Sequence, residues 1–372
     1  MKLVTFHIKA VKPASDRIGA LDQNGNIVDL AIAYKNMRNA NDHMDEKFLN
    51  KLTAVLIPSD MVEFIQGGDS SLEAARAALK YAEESEGESE GMIYTPDEVK
   101  LLAPIPRPAF MRDMLCFLDH FYHPLNDKMV NAFLQQPLYY KAAVTTVVGP
   151  DEVVVWPKFL EDSYNEMDFE TEYGCVIGKP CHNITPEEAD AYIFGYVNFN
   201  DFSARDQQRV DGSGGLSFCK GKDFATGIGP YLVTKDEIED VYNMPMRMYV
   251  NGKLVVEGNT GTMTRKWADN IAYLSLDDTL LPGEVLGSGT VGQGAACEGV
   301  CPYLKDGDVV EEEVGPLGRL RNIISAPADA PLRNNYSMDR EEAMAKLAPA
   351  TRMRDQMMNP QAKRQFNEPA IK

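Results

Sequence analysis

Residues 168–179 read DFETEYGCVIGK, and they predict a β-strand that runs into a turn at Gly178. Because successive side chains of a strand point to opposite faces, Asp168, Glu170 and Glu172 would share one face, where unpaired like charges repel. Acidic chains often expose such triplets, so a solvated surface is one interpretation. The other is a positively charged group that neutralises the carboxylates.

The composition bounds the class of protein. The chain has 372 residues, of which 44% are hydrophobic, and this length predicts two domains plus an extension, since single cores stop growing near roughly 250–300 residues. Asp and Glu number 56 and Lys and Arg 37, so the formal net charge is −19. This charge repels phosphate backbones and anionic lipid, which argues against nucleic-acid and membrane-surface partners. Small molecules, cations and other protein copies remain.

The sequence also predicts the compartment. No apolar run approaches the roughly 18 residues that span a bilayer, and the start MKLVTFHIKAVKP lacks the long apolar core of a secretory signal, so we expect a cytoplasmic protein. The thinly spread cysteines predict reduced, buried thiols rather than disulfides; they are Cys116, Cys175, Cys181, Cys219, Cys297 and Cys301. The last two are four residues apart with no His near them, which argues against zinc.

Three regions are predicted along the chain. They are a small β-rich N-terminal domain with a helical linker (1–100), a main domain (101–326) and a C-terminal extension (327–372). Asn24-Gly25 lies between two strand-like runs and predicts a hairpin. The periodicity of residues 59–84 predicts a helix, and the acidic ESEGESEG that follows predicts a surface loop.

The main domain reads as many short strands with few helices, which predicts a sheet-dominated α+β fold. Asn251-Gly252 predicts a second hairpin, and GDVVEEEV predicts another strand near the end. Thr185 and Glu188 form a capping box with Pro186 between them, which predicts the start of a helix. A short helix is also predicted within SMDREEAMAKLA in the extension.

Polar residues gather near one predicted strand end. Asp201 ends the strand in GYVNFND, and the loop after it contains Arg205, Asp206 and Gln208. Sites are usually built at such positions, because the scaffold is rigid and the loop can reach a ligand. Lys222 lies among glycines in KGKDFATGIGP, where its ammonium and the backbone N–H groups suit an anion. Asp113 and His120 are seven residues apart and would share one face if the stretch is helical.

Five blocks in order carry a resemblance to a known family: MRDMLCFLDH (111–120), DFETEYGCVIGK (168–179), GYVNFNDFSARDQQ (195–208), GKDFATGIGP (221–230) and PGEVLGSGTVGQG (282–294). They resemble the motif series of the fumarylacetoacetate hydrolase family from about residue 100 to 325. The leading RIGAL and IVDL runs are similar to that family's small N-terminal domain. The resemblance implies a mixed β-roll and β-sandwich catalytic domain, a homodimer and a divalent cation bound by carboxylates.

Carried over to this sequence, the resemblance makes four acids the metal ligands: Asp113, Glu170, Glu172 and Asp201. A bound cation would cancel the repulsion between the glutamates. All-carboxylate ligation favours Mg²⁺, with Ca²⁺ or Mn²⁺ as alternatives, and disfavours zinc. Asp168 matches no ligand of the family. It would either support the ligands without touching the cation or be solvated, and we expect it to be solvated.

The resemblance also implies catalytic residues. His120 matches the general base, with His123 as the alternative, and Glu298 is the closest match to the Glu that orients the base. Lys222, Arg205 and Gln208 match positions that hold substrate oxygens and stabilise negative charge. For Arg205, an ion pair with Asp206 or with a ligand carboxylate is the alternative.

Two further residues match substrate-contacting positions, Tyr140 and Thr290, although a core aromatic is an equal interpretation of Tyr140. Some relatives that cleave fumarylacetoacetate have a substrate-binding Tyr after the Arg/Gln loop. This chain reads VDGSGG there, which leaves the substrate open.

The resemblance implies metal-dependent hydrolysis of a carbon–carbon bond in a 1,3-dicarbonyl acid, such as an acylpyruvate or a relative of fumarylacetoacetate. The alternative uses the same metal site for decarboxylation of a 2-oxo acid, or for hydration or tautomerisation of a 2-oxo-enoate. A binding or scaffold protein without catalysis is a third hypothesis. Loss of a ligand would be its usual mark, and none of the matched ligands is missing.

Overall fold

The structure is a computed structural model that describes residues 1–42, 44–85, 91–121, 127–161, 163–215, 217–333 and 336–347. The strands in these ranges are β1 (Lys2–Ile8), β2 (Arg17–Leu21), β3 (Ile27–Asp29), β4 (Ile93–Tyr94), β5 (Val99–Leu101), β6 (Met111–Met114), β7 (Tyr139–Lys141), β8 (Val147–Val148), β9 (Val153–Val155), β10 (Met167–Asp168), β11 (Thr171–Ile177), β12 (Cys181–His182), β13 (Ile193–Asp201), β14 (Ser203–Ala204), β15 (Thr226–Thr234), β16 (Pro245–Val250), β17 (Lys253–Asn259), β18 (Thr279–Leu280), β19 (Val285–Gly287), β20 (Val309–Val314) and β21 (Arg319–Ser325). The α-helices are α1 (Leu30–Asp42), α2 (Glu46–Leu56), α3 (Met61–Gln66), α4 (Gly68–Glu84), α5 (Leu118–Phe121), α6 (Asp127–Gln135), α7 (Arg205–Ser213), α8 (Cys219–Lys222), α9 (Trp267–Leu274) and α10 (Arg340–Ala345).

A large mixed sheet organises the fold. Its strand order is β4-β3-β2-β1-β15-β13-β11-β19-β6-β7, with β5 beside β1 and β8 beside β15. The N-terminal strands join this sheet through β1, which pairs antiparallel with β15 so that Leu3 lies opposite Leu232. The central strands β11 and β13 are buried along their whole length, which holds their polar ends in fixed positions.

A second sheet has the order β17-β16-β20-β21-β9, and its buried side chains share an apolar core with β11 and β13. Tyr173, Met246 and Trp267 are among the large side chains of this core. The N-terminal helices cover a different apolar cluster, in which Phe64 packs edge-to-face on Phe194. The mixed α+β architecture agrees with the predicted fold class.

Several local predictions are confirmed. The first hairpin joins β2 to β3, and Gly25 has a φ of 82°. The second joins β16 to β17, where Asn251 and Gly252 both have positive φ, as a type I′ turn requires. The helical region from 59 to 84 forms α3 and α4, and α10 lies within the predicted stretch of the extension. Most of the predicted acidic loop lies outside the described residues.

Three local predictions are wrong. Residues 30–42 and 46–56, for which no helix was predicted, form α1 and α2, so the N-terminal region holds more helix than its hairpin signals indicate. The predicted helix after Thr185 is only a turn and a 3₁₀ helix, because β13 begins at Ile193 and leaves no room for more. Asp113 and His120 do not share a helix, because Asp113 lies in β6, which pairs with strands on both sides.

The thiols are free, as predicted, but Cys219 and Cys297 are exposed rather than buried. Both lie in short helical turns at the protein surface, which a scan of cysteine spacing does not reveal. Among the described residues, no helix combines the length and the apolar character needed to cross a bilayer.

Candidate active site

Four buried carboxylates converge at one end of the large sheet. Asp113 lies in β6, Glu172 in β11 and Asp201 at the end of β13, and Glu170 immediately precedes β11. Each contributes an oxygen that lies within 4.8 Å of the others. The register explains this proximity, because Glu172 lies opposite Phe199 in β13 and Asp113 opposite Gly287 in β19. The structure therefore brings together all four predicted ligands.

The sequence predicted one continuous strand from residue 168 through 172. The structure instead has a break in this stretch. Asp168 ends β10, which pairs with β14, whereas Glu170 forms an isolated bridge with Ala295. This break separates Asp168 from the carboxylate cluster. The prediction that Asp168 is solvated is wrong, since it is fully buried.

Asp168 instead binds Arg205 and a backbone turn. Its Oδ2 accepts from Arg205 Nε at 2.8 Å, and its two oxygens accept the N–H groups of Ala296 and Cys297. Those residues begin the 3₁₀ turn Ala296–Glu298. A buried carboxylate with three such donors is well satisfied, which accounts for its burial.

Electrostatics within the cluster favour a bound cation. Burial and neighbouring carboxylates raise the pKa of Asp113 and of Glu172 well above the ordinary range, and raise the pKa of Asp201 to about 6. Burial alone would also raise the pKa of Glu170, but Lys222 and Arg205 outweigh it and lower that pKa. Lys222 and Arg205 therefore do not fully neutralise the negative charge of the four carboxylates.

Lys222 is the cation at the centre of this arrangement. Its Nζ donates to Glu170 at 2.5 Å, to Asp201 at 2.6 Å and to the Ser203 hydroxyl at 2.6 Å. Tyr140 donates its hydroxyl to the same Asp201 oxygen at 2.6 Å. Both side chains therefore bind carboxylates of the predicted ligand set directly, and the alternative of a plain core aromatic does not describe Tyr140.

The cluster fits a hard divalent cation. The other oxygen of Asp201, Oδ1, is buried without a hydrogen-bond partner among the described residues, and such an atom is costly unless a ligand satisfies it. The donors are all carboxylate oxygens, the set that Mg²⁺, Ca²⁺ and Mn²⁺ prefer. Asp113, Glu170, Glu172 and Asp201 would hold the ion.

His120 lies at the edge of the cluster. Its Nε2 is 3.9 Å from Glu170 Oε1, and its Nδ1 is 3.1 Å from Glu298 Oε2. The Glu298 carboxylate is itself fixed by the N–H groups of three residues, namely Gln293, Gly294 and Ala295. The predicted base and its predicted orienting residue therefore meet, whereas the alternative base, His123, lies outside the described residues.

Arg205 connects the carboxylate cluster to the buried Asp168. Its Nη1 lies 2.7 Å from Glu170 Oε1 and donates to Gln208 at 3.0 Å, while its Nε binds Asp168. Its Nη2 is buried without a partner in the described part of the chain. The ion pair with a ligand carboxylate is present, and the alternative pair with Asp206 is not formed among the described residues.

A cavity of about 340 Å³ opens above these groups. The predicted site residues that line it are Asp113, His120, Tyr140, Glu170, Arg205, Gln208, Lys222 and Thr290. Apolar side chains line it as well, including Leu138 and Phe218, and the Phe218 ring packs edge-to-face on Tyr140. The cavity thus has a charged floor and a partly apolar wall.

Residues 110–325 match the family described as fumarylacetoacetate (FAA) hydrolase, C-terminal. The chain belongs to this family. The mitochondrial oxaloacetate tautomerase of Xenopus laevis is 34% identical over 87% of this chain and 89% of that protein. The 2,4-didehydro-3-deoxy-L-rhamnonate hydrolase of Sphingomonas sp. (strain SKA58) is 37% identical over 51% of this chain and 65% of that protein. The solved fumarylacetoacetate hydrolase of Exiguobacterium antarcticum aligns with a TM-score of 0.62 at 24% identity, covering 87% of this chain and 100% of that chain.

These matches confirm the predicted family and its fold, and they make the chain a member of an enzyme superfamily. The roles of the individual site residues stay predictions. Ser203, which binds Lys222, and Gly289, whose N–H donates to Glu172 at 2.8 Å, were not predicted. Both lie inside quoted family blocks, but side-chain chemistry alone does not single out a serine or a backbone amide.

Glu312 was also missed, although the sequence carries a signal for it. Val310, Glu312 and Val314 alternate along β20 and are all buried, so the acid occupies a core position of its strand. Burial raises the pKa of Glu312 well above the ordinary range, and only a hydrogen bond from Glu172 opposes this. A period-two reading of VVEEEV places this Glu on the apolar face.

Proposed function

We propose that this chain is a divalent-metal-dependent enzyme that forms the enolate of a short 2-oxo acid, and that its reaction is the keto–enol tautomerisation of oxaloacetate or a close analogue. The observation that carries the proposal is the place of His120, 3.9 Å from a predicted metal ligand and 3.1 Å from Glu298. Enolisation needs a proton acceptor beside the group that holds the substrate oxygens. The oxaloacetate tautomerase of Xenopus laevis, which aligns over most of both chains, supports this reaction.

The cation would supply Lewis acidity: it would polarise the 2-oxo group of the substrate and make the adjacent C–H more acidic. His120 would take the proton from that carbon and return it to the oxygen, or the reverse. Glu298 would hold the imidazole in place, because backbone N–H groups already fix its carboxylate.

Arg205 offers a contact for the substrate. Its buried Nη2 lacks a partner among the described residues, and its side chain lines the cavity. A carboxylate of the substrate would satisfy this donor with a charge-assisted hydrogen bond. Gln208 and Thr290 also line the cavity and would contribute weaker polar contacts. A dicarboxylic 2-oxo acid has the charges that this arrangement can pair.

Hydrolysis of a carbon–carbon bond in an acylpyruvate is the second candidate. The pair His120 and Glu298 is equally suited to remove a proton from water, and the apolar wall at Leu138 and Phe218 would accept an acyl chain. The rhamnonate hydrolase from Sphingomonas supports hydrolytic chemistry within the family, over about half of this chain. Decarboxylation of oxaloacetate remains a third outcome for the same assay.

The test is an assay of protein stripped with chelator and then given Mg²⁺ or Mn²⁺. Enol-oxaloacetate is added, and decay of its ultraviolet absorbance is followed beside carbon dioxide release and acid production from a panel of acylpyruvates. Metal-dependent decay above the buffer rate, without carbon dioxide, supports the tautomerase. Two acid products from an acylpyruvate support the hydrolase instead.

His120→Ala should abolish whichever activity is found, whereas His182→Ala, at an exposed histidine outside the cavity lining, should not. A folded His120→Ala protein with full turnover would refute both candidates. The homodimer that the family implies stays a proposal, and light scattering of the purified protein checks it.

A further inference from the structure

Glu312 is a carboxylic acid in an otherwise apolar row of the second sheet. It lies in β20 between the buried Val310 and Val314, and its ladder neighbours are Met248 in β16 and Leu320 in β21. The residue has no solvent exposure. No Lys, Arg or His of the described chain forms an ion pair with it, so no opposite charge offsets the cost of burying this carboxyl.

One hydrogen bond connects Glu312 to the carboxylate cluster. Its Oε1 accepts the backbone N–H of Glu172 at 2.8 Å, and its Oε2 is buried with no partner among the described residues. The other end of Glu172 is also held, because Gly289 donates its N–H to Glu172 Oε2 at 2.8 Å. Glu172 is therefore held at its carboxylate by the segment that follows β19 and at its backbone N–H by β20.

We propose that Glu312 is a positioning residue that sets the predicted metal ligand Glu172, an inference that rests on the metal-dependent function proposed above. Groups that orient metal ligands through hydrogen bonds strengthen metal binding without touching the ion. An apolar residue would fill the core equally well, but it would leave the Glu172 N–H unsatisfied and let the strand shift. Glu312 thereby couples the second sheet to the carboxylate cluster.

A purely structural role predicts a different result, and calorimetric titration with Mn²⁺ separates the two. Glu312→Met keeps the length and removes the acceptor, so its dissociation constant for Mn²⁺ should rise about tenfold or more. Glu312→Gln keeps an acceptor oxygen and should stay within about threefold of the parent. Val314→Ala loses packing in the same buried row without touching Glu172, so it should lower the melting temperature and leave Mn²⁺ affinity unchanged.

Turnover at saturating Mn²⁺ should return to within about threefold of the parent in Glu312→Met, because the change removes no group that contacts substrate. A folded Glu312→Met protein with the parent's Mn²⁺ affinity would overturn the inference, and so would an equal loss of affinity in Val314→Ala. If Glu312→Met is insoluble, Glu312→Asp replaces it, since its carboxyl is one methylene too short to reach the Glu172 N–H. A parent protein that binds no divalent cation would overturn the proposed function itself, and the inference with it.

Discussion

Oε2 of Glu298 lies 3.1 Å from Nδ1 of His120, and the same carboxylate accepts backbone N–H groups of its own loop. The loop thus fixes the carboxylate beside Nδ1 of the imidazole, while Nε2 lies on the side of the cluster, 3.9 Å from Glu170 Oε1. A base held in this way keeps one ring nitrogen for the substrate.

Glu298→Gln should lower kcat by about 10- to 100-fold with a smaller change in KM, because a neutral amide orients the ring but stabilises its protonated form poorly. His120→Ala should lose about 10²- to 10⁴-fold. Since the two residues act as one unit, the double variant should be no slower than His120→Ala. Steady-state kinetics at saturating metal measure all three, and additive losses would contradict a joint role.

Asp113→Asn should separate electrostatic strain from metal binding. In chelator the variant should be at least as stable as the parent, by up to about 1 kcal/mol, because the Asp113 carboxylate is buried beside other acids that raise its pKa. With Mg²⁺ the parent should gain stability and the variant should gain much less. Urea unfolding with and without Mg²⁺ measures both, and an equal gain in the variant would remove Asp113 from the ligand set.

The stabilisation by Mg²⁺ should increase with pH. A carboxyl whose folded pKa is raised gives stability that is present below its unfolded pKa and is lost as pH rises through the folded pKa. This applies to Asp201, with a pKa of about 6, and to Asp113 and Glu172, whereas the lowered pKa of Glu170 acts in the opposite sense at lower pH. The metal-free protein should therefore lose stability as pH rises from about 4 through the folded pKa of Asp201, about 6, and the raised pKa values of Asp113 and Glu172 extend this loss to higher pH.

The expected outcome is a difference in unfolding free energy between Mg²⁺ and chelator that is about 1–3 kcal/mol larger at pH 8 than at pH 5. Thermal unfolding at each pH, repeated at twice the Mg²⁺ concentration to show saturation, provides the measurement. A difference that shrinks as pH rises would mean that protons do not compete with the cation at this cluster.

The convergence of the four carboxylates was predictable from the sequence because they lie in motifs that one family shares over 216 of the 372 residues, 110–325. Asp201 and Glu172 project from neighbouring strands whose side-chain alternation is simple to read. The break between β10 and β11 was not predictable in this way. It depends on Glu170 bridging to Ala295, a contact 125 residues distant in the chain, and local alternation carries no information on such pairing.

The N-terminal helices and Glu312 are two further features that local sequence patterns do not predict. Residues 30–42 and 46–56 are helical beside a sheet that β1 to β3 help to build, so tertiary packing decides their state. Glu312 has a polar side chain at a core position, and the reason is a contact with another sheet, since it accepts the backbone N–H of Glu172 in β11. Both depend on contacts between distant segments.

Asp168 gives the last prediction, because its burial reverses what its sequence indicates. Asp168→Ala would leave the Arg205 guanidinium without a main partner and two backbone N–H groups unsatisfied, so the free energy of unfolding should fall by about 3–5 kcal/mol. Arg209→Ala is the matched control, since the ion pair of Arg209 with Glu166 is largely exposed and should contribute less than about 1 kcal/mol. Urea unfolding of both variants measures the difference. Equal losses of unfolding free energy in the two variants would mean that Asp168 does not stabilise the fold more than a surface ion pair does. A larger loss in Asp168→Ala, together with slower turnover, would show that the turn carrying Glu298 depends on Asp168.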